Sequence, residues 1–107
     1  MKAKKIAPVH PGVILFHDFM EPLSMSQSAL ARAIGVAPMR VSQIVRGQRA
    51  ITADTALRLA QYFGTRAAWW LDLQSHYDLA TVADQLQSQI ARDIKPCTLQ
   101  SMPDLAA

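Results

Sequence analysis

The stretch Ser26–Gly47, SQSALARAIGVAPMRVSQIVRG, leaves this chain little choice of fold. It holds two short helical patterns, divided at Gly35 and closed at Gly47. Small Ala31 on the first and Val41 with Ile44 on the second let two helices pack at a steep angle through a turn containing Val36. Ser26 is placed to cap the first helix by accepting a hydrogen bond from an orphan N–H. Gly35 suits the left-handed conformation of a helix end, and Pro38 suits a first helical position, where its missing N–H costs nothing. The outer face of the second helix is then free to present Arg40, Ser42, Gln43 and Arg46, side chains of the kind that reach base edges and phosphates. A helix-turn-helix directed at DNA is the expectation. A generic amphipathic pair in a bundle has no need of such a face with so little acid.

Charge is distributed in the same sense. The chain has 107 residues and a net charge of +3. Arg32, Arg40, Arg46, Arg49, Arg58 and Arg66 stand against Asp54 alone between positions 32 and 66, whereas most of the acid lies beyond position 70. A positive field confined to the motif and its flank is what phosphate binding requires.

The remainder reads as an all-α chain: five helices in a repressor-like helix-turn-helix domain with a C-terminal helical extension. Residues 1–9 form a basic arm, residues 10–95 the domain, and residues 96–107 a frayed tail. His10-Pro11-Gly12 opens a first helix carrying Ile14, Leu15 and Phe19, which stops before Pro22. Thr52 is expected to cap the fourth helix, with Asp54 in its first turn and Ala56, Leu59, Ala60 and Phe63 at helical spacing. Thr65 is expected to cap a fifth, interrupted near 76–78 and ended by Pro96. No apolar run approaches the ~20 residues of a membrane span, and the basic start lacks the apolar region of a secretory signal, so a cytoplasmic chain without membrane association is expected.

Catalysis is not expected. Cys97 follows Pro96 with no base nearby in sequence, and His10, His17 and His76 lack zinc-site spacing. The glycines at 12, 35, 47 and 64 make no phosphate-cradling loop. Neither a cofactor nor a metal is implied.

HPG at position 10, the run GVAPMRVSQIVRGQRAITADTALRLAQYFGT and the segment WWLDLQSHYDLA together resemble the HigA-type antitoxins of bacterial toxin–antitoxin systems, within the phage-repressor-like (XRE) helix-turn-helix family. The resemblance covers roughly residues 10–80. It implies a homodimer that binds double-stranded operator DNA, represses its own operon and neutralises a small basic ribonuclease of the HigB, RelE-like class. Carried over residue by residue, Gln27 matches a phosphate contact that braces the recognition helix. Pro38, Met39 and Arg40 match its first, base-contacting positions, Ser42 and Gln43 further groove-facing ones, and Arg46 and Arg49 backbone contacts. Ala37 stands where such repressors usually carry a serine cap, and Val13 where an acidic residue commonly follows HPG.

Since Pro38 and Met39 cannot hydrogen-bond a base through their side chains, Arg40 and Gln43 are expected to supply most direct readout. Each such pair is worth about 1–3 kcal/mol, with Met39 packing on a thymine methyl. Trp69 and Trp70 point about 100° apart on a helix. Either one packs on the core with Leu73 while the other extends with Tyr77 or Leu79 onto a partner, or both complete the core. The dimer or partner contact is placed on this fifth helix and its approach. A stand-alone dimeric repressor without a toxin, and a remnant that only sequesters a partner, are the alternatives.

Overall fold

The computed structural model describes residues 7–98, which form five α-helices and contain no strand. The basic arm up to position 6 and the tail from position 99 lie outside the described residues.

Helix α1 (Pro11–Ile14) starts the domain and continues as a wider, π-wound turn over Leu15–Met20 and a tight 3-10 turn over Glu21–Leu23. Pro22 therefore lies inside helical winding. It occupies the start of the 3-10 turn, where no N–H is needed, and left-handed Ser24 (φ 50°) ends the segment. His10 takes the cap of α1: its Nδ1 accepts from the Gly12 N–H at 2.9 Å. Gly12 is required by close approach, since a Cβ there would lie 1.8 Å from the backbone oxygen of Ile44.

The motif follows as α2 (Gln27–Ile34) and α3 (Pro38–Val45). Ser26 caps α2 through its Oγ, which accepts from Ala29 N–H at 3.0 Å, and Gly35 (φ 73°) closes it. Ala37 has the extended backbone of a cap residue but no side-chain acceptor to use. Helix α4 (Ala53–Phe63) starts after Thr52, whose side chain makes no capping bond. Leu15, Met20, Leu30, Ala31, Ile34, Val41, Ile44, Ile51, Ala56, Leu59 and Trp70 form one buried core around these helices.

Helix α5 (Ala67–Asp93) departs from expectation twice. Its cap position is Arg66; the Thr65 hydroxyl instead accepts the Trp70 indole N–H at 2.7 Å. The helix also runs unbroken through 76–78, a stretch with neither glycine nor proline. There Gln74 Nε2 donates to Asp78 Oδ1 at 2.9 Å, and the Tyr77 ring packs edge-on against His10 at 4.9 Å. Only its first half is packed on the domain. The described residues measure 56 × 42 × 23 Å, and a helix of this length spans about 40 Å.

Candidate nucleic-acid interface

On α3, Val41 and Ile44 face the core, so the residues at the opposite angle must face out. Met39 is 67% exposed, Arg46 is exposed, and Ser42 and Gln43 are half-buried. Together with Gln27, Pro38, Ser28 and Gln48 they line one open depression of about 420 Å³. Gln27 at the start of α2 is thereby brought beside the outer face of α3, so six of the expected DNA-facing residues share a surface. Ser28 and Gln48 were not singled out in the sequence. Gln48 is set by the turn after α3, where its N–H donates to the Gln43 carbonyl at 2.8 Å and Gly47 takes φ 74°.

Arg40 and Arg49 lie elsewhere. They line a neighbouring depression with Ala50, Thr52, Asp54 and Thr55, on the side of α3 that faces α4. Arg40 Nη1 donates to Asp54 Oδ1 at 3.2 Å, and the same oxygen accepts from Arg58 Nε at 2.5 Å. The Arg58 hydrogen bond, and then the charges of Arg58 and Arg40, hold the Asp54 carboxyl below its ordinary range. Arg58 is itself anchored, with Nη1 donating to the carbonyls of Ile34 at 2.9 Å and Gly35 at 3.2 Å. Arg40 thus flanks Gln43 on the α4-facing edge of the exposed surface, with a counter-ion.

The turn between α3 and α4 is fixed from α5. Buried Gln74 accepts the Ile51 N–H through Oε1 at 2.8 Å, and a Cβ on Gly47 would lie 3.6 Å from the His10 ring. His10 is itself 7% exposed. Burial lowers its pKa below 6.5, against the opposing effects of the Asp78 charge and the Arg49 backbone.

The residues proposed for partner contact separate into four places. Trp70 is fully buried and offers no surface, and half-buried Leu73 packs against the core. Trp69 is 38% exposed beside Phe19, its ring 4.8 Å from Trp70. Tyr77 is half-buried on His10. Leu79, 70% exposed, begins an apolar strip with Val82, Ala83, Leu86 and Ile90 on the free half of α5. Among the described residues no group of three His, Cys, Asp or Glu side chains is gathered to hold a metal, and no helix is long and apolar enough to cross a membrane.

Comparison with known proteins bears on the family and the fold. Residues 17–70 match the Helix-turn-helix family. Virulence-associated protein I of Dichelobacter nodosus is 50% identical over 80 residues, which is 75% of this chain and 74% of that one. Antitoxin HigA-1 of Vibrio cholerae is 34% identical over 96 residues, 90% of each chain. The Pseudomonas aeruginosa antitoxin HigA, solved with the higBA promoter, superposes with a TM-score of 0.83 at 46% identity, covering 85% of this chain and 99% of that one. By its motif, its fold and these relatives, the chain belongs to the helix-turn-helix family, in its HigA-type group.

Proposed function

We propose that this protein is a cytoplasmic DNA-binding antitoxin: a homodimer that represses its own operon and neutralises a small basic ribonuclease of the HigB, RelE-like class. The observation that carries the DNA half is the joined surface of Gln27, Pro38, Met39, Ser42, Gln43 and Arg46, outward-facing and free of acid. Gln43 and Met39 occupy the middle of the exposed face of α3 and supply the base readout, while Gln27 and Arg46 hold the backbone. One such face contacts few bases; two, spaced about 34 Å apart on a duplex, multiply them. The apolar strip from Leu79 to Ile90 supports pairing of two copies along α5, because aliphatic side chains repeated on one helix face gain most when covered. The similarity to antitoxins named HigA supports the toxin half.

A pull-down of the protein from its own host, followed by mass spectrometry, tests the whole reading. The expected result is a small basic protein in stoichiometric amount, whose expression alone arrests growth and whose co-expression with this chain restores it. Recovery of nothing but the protein and DNA overturns the antitoxin half and leaves the stand-alone repressor. For the DNA half, Gln43→Ala is expected to cost about 1–3 kcal/mol on the operator and far less on scrambled DNA, measured by fluorescence anisotropy.

A further inference from the structure

Asp54 is the sole acidic residue between positions 32 and 66, yet it lies in the depression shared with Arg40 and Arg49, beside the proposed DNA face. Its position is held. Arg58 is fixed to the carbonyls at the end of α2 and donates to Asp54 Oδ1, and that oxygen also accepts from Arg40. Both partners remain partly open to solvent, with the Arg40 side chain 31% and the Asp54 side chain 55% exposed. An ion pair so exposed is weak and exchanges readily when a better anion arrives.

A carboxylate here has two effects on an approaching duplex. It repels backbone phosphates, and it occupies the guanidinium that would otherwise seek them. Scrambled DNA offers phosphates alone, whereas an operator also engages Gln43 and Met39 and so seats the backbone against this edge. We infer that Asp54 is a specificity-determining residue of the DNA interface: it holds Arg40 in an internal ion pair that a correctly seated duplex displaces, and thereby suppresses binding through phosphates alone. The inference rests on the DNA-binding reading.

The test uses the full chain, a duplex from immediately upstream of its own coding sequence and a scrambled duplex, each titrated across salt concentrations. Asp54→Asn keeps an acceptor for Arg58 and removes the charge. It is expected to tighten scrambled-duplex binding roughly threefold to tenfold at low salt and to steepen the log–log salt slope by about one, as one more cation becomes available. The operator is expected to gain less, so the ratio between the two duplexes falls. Combining it with Arg40→Gln is expected to remove most of that gain. Arg40→Gln alone, which does not depend on Asp54→Asn folding, is expected to leave the scrambled-duplex slope nearly unchanged.

Unchanged or weaker scrambled binding by Asp54→Asn overturns the inference. So does a full unit of slope lost on scrambled DNA by Arg40→Gln. Wild-type protein that binds neither duplex brings down the DNA-binding reading itself, whereas tight operator binding with an inert Asp54→Asn brings down the inference alone.

Discussion

His10 does three things that its neighbours in sequence do not reveal. Its ring caps α1, packs on Tyr77 across the domain and sits against Gly47 in the turn after α3. The cap needs Nδ1 unprotonated, because a protonated imidazole has no acceptor left. Since burial holds the folded pKa below the unfolded value of 6.5, the unfolded chain takes up the proton first. Stability is therefore complete above pH 6.5 and is lost as pH falls through the lower folded pKa. A thermal melt series from pH 7.5 to 5.5 is expected to show a falling Tm. His10→Asn, which caps without titrating, is expected to flatten that limb. The residues HPG and Tyr77-Asp78 were legible in the sequence as marks of resemblance; their meeting was not. A histidine cap lies outside the usual Ser, Thr, Asp and Asn set, and nothing local pairs position 10 with position 77.

Helices were legible where periodicity and punctuation agreed. Ser26, Gly35, Pro38 and Gly47 mark ends that depend on the residue's own chemistry, so α2 and α3 were readable without tertiary information. Thr52 does stand at the cap position of α4, without a side-chain bond, whereas Thr65 misled for the converse reason. A threonine before a helix is a cap only if its hydroxyl has no better partner, and Thr65 has the Trp70 indole. Arg40 fits a base reader by type, but the angle on α3 that brings it against α4 and Asp54 has no local mark in the sequence. The uncapped start of α3 offers a direct test. Ala37 already has φ −67° and ψ 143°, the backbone of a cap, so Ala37→Ser requires no rearrangement. It is expected to stabilise the domain by about 1 kcal/mol, read as a rise in Tm of roughly 4–8 °C.

For the whole molecule, the decisive asymmetry is within α5. Its first half is fastened by Trp70 and Gln74, and its second half carries Leu79, Val82, Leu86 and Ile90 into solvent. Leu86→Asp adds a charge to a surface that is already 41% exposed in the single chain, so folding is expected to survive. Sedimentation velocity is expected to show the variant as a monomer with unaltered helical circular dichroism. Operator affinity is expected to fall on the order of 100-fold as the benefit of two linked half-sites is lost. A dimeric Leu86→Asp with normal affinity removes the proposed pairing surface.

The unbroken course of α5 through 76–78 makes it a calliper arm. Where two copies join along its free half, the angular phase between their reading heads is carried by one rigid rod bolted to the turn after each recognition helix. A residue inserted after Ala80 would rotate everything beyond it by about 100° and lengthen the arm by about 1.5 Å. Every contact in each head would survive that change, and the pair would still be out of step with the groove.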